Sequence, residues 1–387
     1  MEPDSFLIDA TRGEERFRVS ELLHVGRSYQ IVLARDTHLD DKLVCVKAIL
    51  YDSERTGDAD YVGGRRQALR EEMEFLTLKS PLLPDPIDWL EIAQSPVGLG
   101  DEPLLVYEYQ HGQTLFELVS ERHPSGLAPL RALRIFTSLA RFLSDIHEAG
   151  YVFRDLDPRH VIVGFDDIIH VTGCGNATKM GEPPNRHKAD LNFAYVAPEA
   201  RNEVSGQMLR RASDIYSLGA LMSFMLTGEE PRPSVENPLN KDAFDRLSNV
   251  DPPGLSLIVA RCLQPLAKKR FNHIRQLLPW CDPDNLPTPQ SEGFGLILLP
   301  APWTGAESPE TNRAQQSKIS AGPLISVPPH AEAAPEQSPD HRPAAATPDH
   351  NPEQPDDRRR RLLIALAAAA LVVALLVLMT VLRAGAA

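Results

Sequence analysis

The chain opens with apolar and polar residues in alternation. FRVSELLHVG (17–26), QIVLARD (30–36) and KLVCVKAIL (42–50) are short runs of this kind, separated by polar turns. A period of two predicts half-buried strands. The period then changes. In QALREEMEFLTLKSP (67–81), Leu69, Met73, Phe75 and Leu76 recur at helical spacing. PIDWLEIAQ (86–94) and LLVYEYQ (104–110) return to strand character on either side of the loop SPVGLGDEP. Between 130 and 152 lies a long amphipathic helix, with Leu133, Ile135, Phe136, Leu139, Phe142, Leu143 and Ile146 on its apolar face. Gly150 stops it, because glycine accepts the left-handed conformation that closes a helix.

Past residue 282 the pattern dissolves. Residues 283–357 contain 15 prolines among 75 residues, about four times the usual share. Such a stretch buries too little apolar surface to order itself and reads as a disordered linker. Its exception is GFGLILLPAPW (293–303), apolar enough to dock on the preceding domain. Four arginines (358–361) then precede LLIALAAAALVVALLVLMTVL (362–382). As a helix these 21 residues span about 31 Å, the thickness of a bilayer's hydrocarbon core. The arginines outweigh the lone Arg383 beyond the span, which predicts a single-pass cell-membrane anchor with the N-terminal part cytoplasmic and 383–387 as a short outer tail.

Composition narrows the function classes. A net charge of −13 argues against a general nucleic-acid binder. Cys45, Cys174, Cys262 and Cys281 are scattered, with no C-x-x-C pair, so neither a zinc site nor a disulfide framework is expected. The start, MEPDSFLIDATRGEE, has no apolar core of a signal peptide and is expected to be a short leader, residues 1–14.

The chemistry gathers around FRDLDPRHVIV (153–163) and HVTGCGNAT (170–178). The first resembles the H-R-D-L-x-x-x-N catalytic loop of protein kinases and the second occupies the place of D-F-G. Further segments follow in the same order: VCVK (44–47) resembles V-A-I-K, YVAPEA (195–200) the A-P-E box, SDIYSLGALMSFMLTGEEPR (213–232) the central large-lobe helix, and CLQPLAKKRF (262–271) the closing C-L-x-x-x-P-x-x-R-P. Residues 15–282 therefore resemble a bacterial-type Ser/Thr protein kinase. The resemblance implies an α+β, bilobal fold, with a β-rich small lobe (about 15–108) and a helical large lobe (about 109–282). It implies ATP held by Lys47, by Gly26 of a phosphate loop, and by the backbone of Glu108 and Gln110 in the hinge beside Tyr107. Glu71 would pair with Lys47, Glu72 fitting the family pattern less well. Asp155 would take the catalytic-base position. Arg154, Glu199, Asp214 and Arg270 would be structural, with Asp214 holding the catalytic loop and Arg270 pairing with Glu199.

The same register exposes departures. Phe153 replaces the usual His, Asp157 the usual Lys, His160 the metal-binding Asn and Gly173 the metal-binding Asp. His24 and Tyr29 stand at the first and third glycine positions of the phosphate loop. Asp155 and His160 precede Gly173 by 18 and 13 residues, the family's own spacings, so no shifted carboxylate hides nearby. Glycine offers no ligand, and Mg²⁺ prefers oxygen to imidazole. Losing one electrostatic stabiliser typically costs about 10²–10³ in rate. The leading reading is a membrane-tethered pseudokinase, a binding or scaffold module for protein partners, with residual nucleotide binding through Lys47 and no metal. In that reading Arg154 and Asp155 remain for structure. Two alternatives stay open: an active Ser/Thr kinase whose metal is held from an unusual position by Asp157, Asp166 or Asp167, and an adaptor that binds no nucleotide.

Overall fold

The computed structural model describes residues 5–8, 13, 15–92, 102–183, 191–201, 210–232, 238–295 and 297–302. The arginine run, the 362–382 stretch and most of the expected linker lie outside the described residues. Among the described residues no helix is long and apolar enough to cross a membrane.

Strands β1 (Phe6–Ile8), β2 (Glu15–Val25), β3 (Tyr29–Asp36), β4 (Lys42–Ile49), β5 (Pro86–Ile92) and β6 (Glu102–Glu108) form one antiparallel sheet in the order β1-β2-β3-β4-β6-β5. Alternation sorts its residues onto two faces. Val32 and Ala34 of β3 join Val44, Val46 and Ala48 of β4 and Leu104 and Val106 of β6 in one buried layer. The partners Leu33↔Cys45, Ile31↔Lys47 and Tyr29↔Ile49 look the other way, toward helix α1 (Ala59–Leu76) and the large lobe. Helix α1 is capped by Asp58, whose side chain accepts the Asp60 and Tyr61 amides. Its buried stripe, Tyr61, Val62, Arg65, Ala68, Leu69, Glu72, Phe75 and Leu76, follows the helical period.

The large lobe begins beyond the hinge with a short strand β7 (Gln113–Thr114) and a single turn α2 (Leu115–Glu117) closed by a Thr114–Glu117 capping box. Helix α3 (Pro129–Glu148) buries every apolar position expected of it. Strands β8 (Tyr151–Val152), β9 (Val161–Val163), β10 (Ile169–Val171) and β11 (Thr178–Lys179) carry the loops of interest, with β7, β9 and β10 in one small sheet and β8 paired to β11. After the turn α4 (Pro198–Arg201), helix α5 (Arg211–Thr227) is buried on nearly all sides, as an apolar helix at a lobe's centre must be. Helices α6 (Lys241–Ser248) and α7 (Gly254–Cys262) pack around it. This is the α+β, two-lobed arrangement expected. Rings join the lobes: Phe75 of α1 meets Tyr151 at 5.3 Å and Phe153 at 6.0 Å, and Phe153 meets Phe142 of α3 at 5.4 Å. The phenylalanine in the histidine's place thus serves packing.

Two boundaries differ from expectation. The leader is not wholly unstructured, because Phe6–Ile8 pairs with β2 and Leu7 is buried opposite Phe17. At the other end, packing continues past 282. Phe294 is 1% exposed and sits edge-on to Trp280 (5.4 Å) and Phe271 (6.0 Å), with the Arg261 guanidinium over both Phe rings. Gln264 Nε2 donates to the Leu298 carbonyl at 3.1 Å. The apolar segment set apart within the expected linker thus packs on the large lobe through Phe294, as its composition suggested.

Candidate functional site

The cleft between the lobes is built on Lys47. Its place opposite Ile31 directs the side chain at α1. There Nζ donates to both oxygens of Glu72, at 2.8 and 2.6 Å, and both residues are buried. Burial by itself would lower the lysine pKa, but the Glu72 carboxylate outweighs it and holds the ammonium protonated. The expected partner, Glu71, is not the one. It stands one residue off the buried stripe, half-exposed, with Gln67 Nε2 at 3.4 Å from its Oε1. One residue is a 100° rotation about a helix, so the phase of the apolar stripe and not motif spacing selected the glutamate.

The phosphate loop is altered in three dimensions as well as in sequence. Tyr29 points into the cleft and is 6% exposed. Two cations lie over its ring, Lys47 Nζ at 4.1 Å and the Arg65 guanidinium carbon at 4.5 Å from its centre. Gly26 still makes the turn, its amide donating to the Tyr29 carbonyl at 2.9 Å. The His24 ring crowds it: a Cβ on Gly26 would lie 2.9 Å from His24 Nε2. The imidazole pKa of His24 is lowered, first by burial and then by the charges of His160 and Lys47, so roof and floor of the cleft sense each other. At the hinge, the Glu108 amide donates to the Asp85 carbonyl at 2.9 Å and its carboxylate pairs with Lys42 at 2.8 Å. Gln110 Nε2 lies 3.4 Å from Glu108 Oε2. Tyr107 is buried beside them.

The catalytic loop is held from below by Asp214. Its Oδ2 accepts the Phe153 amide and its Oδ1 the Arg154 amide, both at 2.8 Å, and His147 Nε2 lies 2.9 Å from Oδ2. Arg154 takes a positive φ of 71°, which these bonds help to fix. His147, at the end of α3, therefore has a structural role.

Asp155 is buried, and Asn176 Nδ2 donates to its Oδ2 at 2.8 Å. Sequence reasoning missed Asn176, since only the return of the chain after β10 brings it there. The Asp155 pKa is raised, chiefly by burial and by nearby Asp157 against the opposing influence of His160. His160 Nδ1 stands 3.6 Å from Asp155 Oδ2. Asp157 is engaged elsewhere: Oδ1 accepts the Arg159 amide and Oδ2 accepts Asn192 Nδ2, both at 2.7 Å. It ties the catalytic loop to the segment before the A-P-E box. Asp166 and Asp167 lie on the β9–β10 turn, where Asp166 accepts the Ile168 amide and Asp167 pairs with Arg131 at 2.6 Å. Each of the three acidic residues thus has a partner within the protein.

The two positions where the family carries metal ligands sit against each other. Gly173 adopts φ 70°, and a Cβ there would lie 2.4 Å from His160 Cγ. The imidazole fills the volume a side chain at 173 would need. Among the described residues no group of three or more His, Cys, Asp or Glu is arranged to hold a metal ion. A glycine and an imidazole offer no oxygen, so the residues present do not fit Mg²⁺.

The large lobe's lock is intact. Arg270 grips Glu199 through two bonds of 2.7 and 2.9 Å and also donates to the Ala212, Gln264 and Pro265 carbonyls, while Ser213 Oγ donates to Glu199.

Known proteins agree with this architecture. The family profile described as "Protein kinase domain" matches residues 17–279. The chain is similar to serine/threonine-protein kinase PknB of Mycolicibacterium smegmatis, 30% identical over 221 residues, which is 56% of this chain and 33% of that protein. It is also similar to serine/threonine-protein kinase PrkC of Bacillus subtilis, 27% identical over 56% of this chain and 31% of the relative. A probable serine/threonine-protein kinase PknB of Lactococcus lactis matches at 26% identity. The chain thus spans about a third of the length of these curated relatives. With the profile covering both lobes and the structural motifs meeting in space as their order implied, this chain belongs to the protein kinase family, alongside bacterial Ser/Thr kinases.

Proposed function

We propose that the chain is a pseudokinase, a kinase-fold signalling module that binds protein partners and does not transfer phosphate. The observation that carries this reading is the fit of His160 against Gly173. Phosphoryl transfer depends on metal ions that bridge and neutralise the phosphates, and here one ligand position has no side chain and the other fills its neighbour's space. The bond of Asp155 to Asn176 adds to it, since the carboxylate is engaged within the protein. Arg154, Asp155 and Asp157 then serve the shape of a docking surface. The chain sits at the inner face of the cell membrane, its domain cytoplasmic on a proline-rich tether. The apolar 362–382 stretch behind four arginines supports that reading.

A second reading, an active Ser/Thr kinase, draws on the formed Lys47–Glu72 pair and on the names of the relatives. One experiment separates them. The intact chain is incubated with radiolabelled ATP, Mg²⁺ or Mn²⁺ and a generic protein substrate. No incorporation is expected. Transfer abolished by both Lys47→Met and Asp155→Asn would overturn the pseudokinase reading. Membrane attachment is tested by fractionation: the chain should stay with membranes through alkaline carbonate and be released when 358–387 are deleted.

A further inference from the structure

A kinase lysine on this strand pairs with the α- and β-phosphates of ATP. In this chain the space facing Lys47 is already filled. Residues 29, 31 and 33 share the cleft face of β3, and Tyr29 is the one nearest the phosphate loop. Its ring covers the Lys47 ammonium at 4.1 Å, while Glu72 takes the same ammonium from α1. Arg65 comes from the first half of α1 and also lies over the ring, 4.5 Å from its centre, and donates to the Ser28 carbonyl, which fastens the loop to the helix. An aromatic ring with two cations over it is a favourable electrostatic arrangement, worth more when desolvated. The Tyr29 hydroxyl is buried and has no hydrogen-bond partner among the described residues. The ring is therefore held by its face and not by its polar end.

We propose that Tyr29 is a built-in occupant of the nucleotide's phosphate seat, and that beneath it Lys47 and Arg65 form a latent, metal-independent site for a nucleoside polyphosphate. The aromatic ring does for the two cations what phosphate oxygens would do, so nucleotide must displace it to bind. Arg65 is the unexpected member. It lies on the same buried stripe as Glu72, seven residues earlier, and would supply a second positive charge where the family relies on metal. This inference rests on the pseudokinase reading only in assuming that Mg²⁺ does not assist binding.

The test is ATP binding by titration calorimetry in excess EDTA, using the intact chain in detergent. Wild type should show no saturable binding at millimolar ATP. Tyr29→Gly and Tyr29→Ala should bind at least about tenfold more tightly than wild type. Tyr29→Phe keeps the ring face and should behave like wild type. Adding Lys47→Met to Tyr29→Gly should remove the gain. Saturable metal-free binding by wild type overturns the proposal however the variants fold. So does the lack of any gain in a Tyr29→Gly or Tyr29→Ala protein that melts cooperatively. Phosphotransfer with Mg²⁺ is assayed alongside. Transfer by Tyr29→Gly would sink the pseudokinase reading and leave the occupied seat standing. Tight ATP binding by wild type without transfer would do the reverse.

Discussion

His160 and Gly173 are a fitted pair: the imidazole Cγ lies 2.4 Å from where a Cβ on residue 173 would stand. A change at one position is constrained by the other. Gly173→Asp alone should lower stability by about 1–3 kcal/mol, the usual cost of forcing extra atoms into a packed site. Combined with His160→Asn, which withdraws the ring, the part of that loss owed to crowding should return, leaving the part owed to the positive φ of residue 173. Urea unfolding of the two single variants and the double variant gives the cycle. Additive losses would mean that the two residues do not share the space.

Glu72, and not its neighbour, should carry the small lobe's ion pair. Glu72→Ala leaves the buried Lys47 ammonium without its carboxylate and should cost about 3–5 kcal/mol. Glu71→Ala, off the buried stripe, should stay within about 0.5 kcal/mol. Thermal melts of the two variants check the difference.

Asp155 should be a stability cost at neutral pH. Its folded-state pKa is raised above the unfolded value, mainly by burial. A raised value means that the stability it contributes is full below the unfolded pKa, about 3.9, and is lost as pH rises through the folded value. Asp155→Asn removes the charge but keeps an oxygen for Asn176. It should raise Tm by about 2–4 °C at pH 8, with a smaller gain near pH 4. A gain that grew toward acid would contradict the raised value.

Glu199 titrates in the opposite sense. Burial would raise its pKa, but the Arg270 bonds prevail and hold it below the ordinary glutamate value. Its stabilising contribution is full above that ordinary value and disappears as pH falls through the lowered one. Acid unfolding of wild type should steepen below about pH 4.5. Arg270→Met should lose about 3–5 kcal/mol at neutral pH and flatten that acid limb. Arg270→Lys should recover little, because one ammonium cannot replace a fork serving Glu199 and three carbonyls.

The docked segment beyond 282 should belong to the folding unit. Phe294→Ala should cost about 3–5 kcal/mol, the range for a buried phenylalanine. Chains ending at 282 should melt below chains ending at 302 by a similar margin, measured by calorimetry.

Much of the fold was legible because its signals are local and repeated. Period two marked the strands around Val32 and Val46, period 3.6 marked α3, and ordered motifs placed Asp214 under the catalytic loop and Arg270 on Glu199. Those contacts follow from the fold itself once the order of elements is known. The cleft was legible in its residue types but not in its contacts. Motif spacing pointed to Glu71, yet spacing is blind to the phase at which a helix buries its face, and that phase presents Glu72. Asn176 reaches Asp155 across 21 residues of chain, and no local pattern records that distance.

The sequence by itself determined that this is a kinase-family chain and which residues stand at the metal positions, because both are matters of order and identity. Only the tertiary structure decided what those residues do. His160 fills the space over Gly173, and Lys47 and Arg65 both lie over the Tyr29 ring, because side chains distant in sequence compete for the same volume, and volume is decided only once the elements of each lobe have packed.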